Sequence, residues 1–222
     1  MDLPDIVYLV RDGDLNEELR FSLRSLQNLP HGDVWIAGYV PSWVTNVRRV
    51  NVRQTLGKWN NQTRNLAKAL GCGGLSDPFV LFNDDFFVTQ PVQTVEPLHR
   101  GPFSSILDQY VDRRDEYARR IVATAKRLGD DAFCYDVIHT PMTFRHEPLG
   151  AVLEECRSGL LFRSVYGNRA TVGGTQIGDV RVRQEHDTFG RPFCSTSETL
   201  FAEHKVGKQI RNLFPIRSPY EC

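Results

Sequence analysis

The sequence predicts a single α/β domain in which a mostly parallel sheet is flanked by helices. In the first half of the chain, short apolar runs alternate with segments of helical periodicity, the order typical of strands joined by crossover helices. The hydrophobic fraction of 41% over 222 residues is sufficient for one sizeable core. Both observations favour a folded domain over a disordered chain.

The first strand and helix are predicted close to the start of the chain. Residues 6–10 form a continuous apolar run, as expected of a strand buried on both faces. Asp14 precedes Glu17 by three residues, so we predict a capping box with Asp14 as the cap. Leucines at intervals of four, four and three mark one face of the following helix: Leu15, Leu19, Leu23 and Leu26.

Three further strands and a second helix follow. Residues 34–40 and 79–82 are apolar runs of strand length, and residues 47–52 predict a shorter strand. Residues 60–70 predict a helix that ends at the glycine-rich segment 71–74. This order places the acidic turns at 12–14 and 83–85 at carboxyl ends of strands, where ligands of such sheets bind.

The second half of the chain is less regular. Residues 111–128 predict a charged, exposed helix, and residues 149–156 predict another. From residue 159 onward the pattern favours short strands and loops. Because no repeat or linker separates the halves, we interpret 1–222 as one domain with an irregular C-terminal elaboration.

The composition of the chain argues against several classes of protein. Lys+Arg and Asp+Glu both number 27, so the formal charge is zero and nothing favours binding to nucleic acid. Five scattered cysteines without a C-x-x-C pair favour reduced thiols. No signal peptide and no membrane-spanning apolar stretch is apparent. We therefore expect a cytoplasmic protein.

The strongest chemical signal is Asn83-Asp84-Asp85, which lies between two apolar runs. Carboxylates within an apolar segment are costly unless they are paired or bind a metal. A hard cation such as Mg²⁺ or Mn²⁺ takes carboxylate oxygens and completes its shell with water and phosphates. A simple turn or helix cap is the alternative interpretation.

The turn and helix near the start carry weaker signals. Asp12, Gly13 and Asp14 form a tight turn that would face a nucleotide, although Asp14 alone would also serve as a cap. Arg20 and Arg24 share a helix face at a spacing of four. They are candidates for holding phosphates, and pairing with Glu17 and solvent is the alternative.

Two residues of the second half of the chain are candidates for a catalytic or a phosphate-binding role. His139 precedes Thr140-Pro141 and is a candidate general base, because imidazole titrates near neutrality. Arg163 follows apolar residues, and a partly buried guanidinium needs an anion such as phosphate. A structural histidine and a structural salt bridge are the alternatives.

Taken together, these segments resemble the Stealth family of sugar-phosphate transferases. The family begins with a strand and an Asp-Gly turn, and it later carries an acidic strand end, a His-x-Pro and a Phe-Arg. The matching segments in this chain are residues 5–13, 18–26, 79–87, 139–141, 162–164 and 214–221. Where the family has Asn-Asp in its last region, this chain has Cys194-Ser195-Thr196-Ser197-Glu198.

The resemblance implies a glycosyltransferase-A-like fold, a nucleotide-sugar donor such as a UDP-sugar, and a carbohydrate or glycosylated acceptor. Residues 1–95 would bind the nucleotide sugar and a metal at Asp84 and Asp85, and residues 96–222 would form the acceptor side. Asp85 would orient the diphosphate, His139 would act as base, and Arg163 would clamp phosphate.

The helix that follows Gly57 would line the donor pocket with Lys58 and Asn61, together with Asn83 at the strand end. Two alternatives remain at this stage. One is ordinary glycosyl transfer with release of a nucleoside diphosphate, and the other is a catalytically silent sugar- or nucleotide-binding module.

Overall fold

A computed structural model of the chain describes residues 3–184 and 191–222. Its strands, in chain order, are β1 (Asp5–Val10), β2 (Val34–Gly38), β3 (Arg48–Asn51), β4 (Phe79–Asn83), β5 (Phe86–Val88), β6 (Leu98–His99), β7 (Met142–Phe144), β8 (Thr175–Gln176) and β9 (Phe193–Ser195). Its α-helices are α1 (Glu17–Ser25), α2 (Lys58–Leu70), α3 (Glu116–Leu128), α4 (His146–Glu155), α5 (Phe162–Arg169), α6 (Glu198–Glu203) and α7 (Lys205–Leu213).

The main sheet has the order β3-β2-β1-β4-β7. Strands β1 to β4 are parallel, and β7 pairs antiparallel with β4 at the edge. From β1 the chain builds outward to β3 and then returns to place β4 on the other side of β1. The direction of strand order therefore changes between β1 and β4, which is where open α/β sheets form ligand clefts.

Helices cover both faces of the sheet, and for this reason β1 is buried along its whole length. Successive side chains point to opposite faces, so Val7 and Leu9 pack with α2, α4 and α5. Ile6 and Tyr8 pack on the opposite face with α1. The fully apolar strand predicted from the sequence is thus explained by a sheet covered on both sides.

The strand predictions are confirmed, whereas the predicted start of the first helix is wrong. Leu15 lies outside α1 and is 88% exposed. The helix is capped by Asn16, whose side chain accepts a hydrogen bond from the Leu19 amide (3.1 Å). Asp14 instead accepts hydrogen bonds from Ser42 and Tyr39. The predicted capping box therefore does not form, because the Asp14 carboxylate binds Ser42 and Tyr39 instead of the helix N-terminus.

The second half also differs from the sequence prediction. Helix α3 begins at Glu116 and buries one face, including Ile121 and Ala125, so it is not simply an exposed helix. After residue 159 the expected short strands are present as β8 and β9, but the chain also forms α5, α6 and α7, which the sequence did not predict. In the described residues no helix is long and apolar enough to cross a membrane.

Candidate functional site

A cleft of about 700 Å³ opens at the carboxyl ends of β1 and β4. We call it the central cleft. Its floor carries Arg11 after β1, Asn83 at the end of β4, and Asp84 and Asp85 directly after that strand. Its walls come from the first turns of α2 and α5, from α3, and from residues 135–140 and 197–199. The cleft lies at the carboxyl ends of the strands and coincides with the change in strand order, and of the two acidic turns it includes only the one at residues 83–85.

One end of the central cleft is acidic. Asp84 accepts a hydrogen bond from Asn16 (2.9 Å) and lies 4.0 Å from the Arg11 guanidinium. Burial and the neighbouring Asp85 raise the pKa of Asp84. Asp85 accepts one hydrogen bond from Ser195 Oγ (3.2 Å) through Oδ2, while its Oδ1 is buried without a partner. A buried acceptor without a partner is costly and marks a place where a ligand would satisfy it.

Glu18 is a third carboxylate at this end that the sequence interpretation missed. It lies in the first turn of α1, lines the central cleft and is almost wholly buried. Burial, with smaller contributions from the nearby Asp85 and Asp84, raises its pKa to about 7, against a hydrogen bond from Thr196 Oγ1 (2.6 Å). Glu18 shares a buried polar stripe of α1 with Ser22 and Ser25, but their burial is evident only in the structure.

Asp84 and Asp85 are the residues that could hold a hard cation. Both offer carboxylate oxygens of the kind that Mg²⁺ prefers, and the unpartnered Oδ1 of Asp85 fits that use. Within residues 3–184 and 191–222, however, no group of three His, Cys, Asp or Glu side chains converges as a preformed metal site. A cation held by these two residues therefore needs further oxygens from a ligand or from water.

Arg163 supplies a buried positive charge to the same cleft. Its Nη1 donates to the Thr140 carbonyl (3.0 Å), its guanidinium lies over the Phe86 ring (5.5 Å), and its Nη2 is buried without an acceptor. Burial lowers the pKa of Arg163 to about 10, and the carboxylates of Asp136 and Asp85 oppose that shift. An anionic oxygen at Nη2 would both satisfy the donor and stabilise the charge.

His139 also lines the central cleft, and both of its ring nitrogens have polar neighbours. Its Nδ1 lies 2.8 Å from Asp179 Oδ1, and its Nε2 lies 3.4 Å from Arg181 Nη1. Burial acts to raise the pKa of Asp179, but hydrogen bonds from His139, Arg181 and Arg183 outweigh it and hold that pKa below its usual value. The sequence interpretation missed Asp179 entirely.

The wall formed by α2 and α3 is aromatic and cationic. Trp59 stacks on Tyr117 with ring centroids 5.1 Å apart, and Lys58 Nζ lies 5.1 Å from the centre of the Trp59 ring. Asn61 lines the cleft too, but its amide exchanges hydrogen bonds with the backbone of Leu56 (3.1 and 2.5 Å). Lys58 and Asn61 are thus placed at the cleft, with Asn61 engaged in shaping the turn before α2.

Two of the predicted binding residues are not brought to the central cleft because the C-terminal segment engages them. Arg24 forms a two-pronged ion pair with the buried Glu221 (2.7 and 2.8 Å). Arg20 lies over the Trp43 ring (4.6 Å) and 3.7 Å from Glu221. The prediction that they share a helix face is confirmed, and the carboxylate that this face meets is Glu221, not Glu17.

The opening turn also lies outside the central cleft. Asp14 is bound to Ser42 and Tyr39, as described above, and Gly13 adopts a φ of 149°, which suits glycine. Asp12 lines a separate shallow depression at the ends of β2 and β3 with Tyr39 and Arg53. Gln54 borders both concavities, so the depression adjoins the cleft.

The fold and site therefore define an α/β protein with a polar cleft at the point where strand order changes. No protein-family model matches the sequence, and no significant match is found among curated proteins. Among solved structures, the chain is similar to the apo structure of WbbM, a bifunctional glycosyltransferase, with 10% identity and a TM-score of 0.49. The alignment covers 96% of this chain and 44% of that one, so the chain spans less than half of its length. At this level of similarity the likeness decides neither the family nor the activity.

Proposed function

We propose that the protein is a transferase that moves a sugar-1-phosphate group from a nucleotide-sugar donor to a hydroxyl of a carbohydrate or glycosylated acceptor. One observation carries the proposal: Asp85 and Arg163 line the same cleft, and each has a buried polar atom without a partner, Oδ1 of Asp85 and Nη2 of Arg163. A ligand that binds both groups would present a positive charge to the Asp85 carboxylate and an anionic oxygen to the Arg163 guanidinium. A metal-bound diphosphate has both properties.

The acidic end would hold the donor diphosphate through a divalent cation. Mg²⁺ or Mn²⁺ bound by Asp84 and Asp85 would neutralise charge that develops on the departing nucleotide oxygen. The raised pKa of Asp84 and the unpartnered oxygen of Asp85 support this assignment, since each is a cost that a cation would relieve. Asn83, at the end of β4, and Lys58, at the start of α2, would line the donor site.

Arg163 and His139 would act on the transferred group and on the acceptor. The free Nη2 of Arg163 would donate to an oxygen of the transferred phosphate and stabilise its charge. His139 Nε2 would take the proton of the acceptor hydroxyl as that oxygen bonds to phosphorus, while the bond from phosphorus to the nucleoside monophosphate breaks. The aromatic wall of Trp59 and Tyr117 offers apolar surface to a sugar or base.

The test is identification of the released nucleotide. Purified protein is incubated with a panel of nucleotide sugars, Mg²⁺ or Mn²⁺, and a mixed carbohydrate acceptor extract. A nucleoside monophosphate with sugar-phosphate on the acceptor is the expected result. Release of a nucleoside diphosphate would instead establish ordinary glycosyl transfer and would remove the role of His139 at phosphorus.

A matched pair of variants tests the site itself. Asp85→Asn should abolish turnover while the protein stays folded, whereas Asp12→Asn, outside the central cleft, should keep activity within about twofold. Full activity in Asp85→Asn would contradict both transfer reactions. Donor binding without turnover by the unsubstituted protein, across all acceptors, would favour the silent binding module.

A further inference from the structure

We propose that Asp179 is the positioning residue for His139, and that it fixes the imidazole tautomer in which Nε2 carries the lone pair that can accept a proton. This inference rests on the proposed function for its catalytic meaning. The geometry of the His139–Asp179 pair is independent of that function. Nothing in the sequence pattern connects the two residues, which lie 40 positions apart.

Both ring nitrogens of His139 point to the same tautomer. Asp179 Oδ1 lies 2.8 Å from Nδ1, and an ionised carboxylate only accepts hydrogen bonds, so Nδ1 carries a proton. Arg181 Nη1 lies 3.4 Å from Nε2, and a guanidinium only donates, so Nε2 presents its lone pair. The hydrogen bond at one nitrogen thereby determines which nitrogen is available for chemistry.

Asp179 is itself held by several contacts. The Arg181 backbone N–H donates to Oδ1 (3.0 Å), and Arg183 Nη2 donates to Oδ2 (2.6 Å). The next residue, Val180, donates its backbone N–H to the Ile138 carbonyl (3.1 Å), directly before His139 in the chain. The segment that carries the carboxylate is therefore tied to the segment that carries the base.

In the proposed reaction, His139 accepts the proton of the acceptor hydroxyl and Asp179 holds the imidazole ring. The acceptor hydroxyl gives its proton to Nε2 while its oxygen forms the new bond and the nucleotide oxygen departs with the electrons of the broken bond. The ring becomes an imidazolium whose Nδ1–H still donates to the Asp179 carboxylate. Asp179 keeps its negative charge throughout and so stabilises the positive ring without receiving a proton.

The test combines nitrogen NMR with kinetics on the full chain. Protein labelled with ¹⁵N-histidine is measured well above the usual imidazole pKa of about 6.5, and the His139 signals are assigned by their loss in His139→Gln. The unsubstituted protein should show a protonated Nδ1 and a bare Nε2. Asp179→Ala should populate both tautomers and lower kcat by about 10- to 100-fold, with the donor KM within about twofold.

Two further variants keep the test decisive. Asp179→Asn should shift the tautomer only in part and lose less activity than Asp179→Ala, because its amide oxygen can accept from Nδ1 only when its NH2 group faces Arg183 Nη2, which is also a donor. Asp33→Ala, at an exposed pair with Arg48, is the control and should change neither readout. If Asp179→Ala fails to fold, the partial shift in Asp179→Asn tests the dependence on Asp179, and an unchanged tautomer in that variant would count against the positioning role.

The outcomes separate this inference from the proposed function. A bare Nδ1 in the unsubstituted protein, or an unchanged tautomer in a folded Asp179→Ala variant, would overturn the positioning role. A protonated Nδ1 that depends on Asp179, in a protein that turns over no nucleotide sugar, would support the pair and count against the transferase.

Discussion

Glu18 leads to a sharp prediction about stability and pH. Burial raises the pKa of its carboxyl from the usual 4.5 to about 7, so the folded chain binds this proton more tightly than the unfolded chain does. Below pH 4.5 both states are protonated and Glu18 costs nothing. As pH rises from 4.5 to 7, only the unfolded chain gains the full benefit of ionisation, so the folded state loses stability, and the loss is complete above pH 7.

The size of the effect follows from the same shift. Each pH unit between the two pKa values corresponds to about 1.4 kcal/mol, so the folded protein carries a cost of about 3 kcal/mol above pH 7. Glu18→Gln removes the ionisation and keeps an oxygen that can accept from Thr196. We therefore expect Glu18→Gln to be more stable than the unsubstituted protein by about 3 kcal/mol at pH 8.5, and nearly equal in stability at pH 4.5.

The assay is urea unfolding at both pH values, with a chelator present so that no divalent cation neutralises the acidic end. Glu17→Gln is the matched control, because Glu17 is the preceding residue of the same helix turn but is half exposed and pairs with Arg211. It should change stability by less than about 0.5 kcal/mol at either pH. A Glu18→Gln advantage that is the same at pH 4.5 and pH 8.5 would refute the reasoning.

Three other substitutions have expected outcomes. Glu221→Ala should lower the free energy of unfolding by about 3–5 kcal/mol in urea titration, because it leaves Arg24 without its buried partner; a loss below about 1 kcal/mol would count against that pair. Phe87→Ala should cost about 3–5 kcal/mol by the same measurement, since the fully buried ring stacks on Phe201 (5.6 Å), and a near-neutral result would contradict this packing. Arg163→Lys should lower kcat/KM for the donor by at least about tenfold, because lysine has a single nitrogen and cannot bind the Thr140 carbonyl and a phosphate oxygen through two separate nitrogens; an unchanged value would argue against a phosphate contact.

The main sheet could be predicted because its signal is local. β1 and β4 are covered on both faces, so every residue of their cores is apolar, and a short apolar run is visible without knowledge of the partner strands. The same logic fails for α5. Its buried residues include Arg163, Ser164 and Gly167, so the helix has no alternation between an apolar and a polar face. A helix that buries polar groups leaves no periodic hydrophobic pattern to detect.

A residue of the candidate site could be predicted only where a charged side chain interrupts an apolar segment of the sequence. Asp84 and Asp85 stand out because two carboxylates interrupt an apolar segment. Glu18 does not stand out, since an acidic residue in the first turn of a helix is expected for the helix dipole alone. Its role becomes visible only through Thr196, which is 178 residues away in the chain.

Arg24 was predicted to bind a ligand, whereas Glu18 was overlooked. Both predictions failed because the partner of each residue is distant in the sequence. A spacing of four correctly places Arg20 and Arg24 on one face of α1, but spacing carries no information about what that face meets. The face meets Glu221, which lies 197 residues from Arg24, and the pair is buried because the C-terminal segment crosses α1 there. Glu18 lies six positions before Arg24 and therefore projects from a different side of the same helix, toward the central cleft. One amphipathic helix thus presents an ion pair that stabilises the fold and a carboxylate that burial destabilises, and only the tertiary structure distinguishes them.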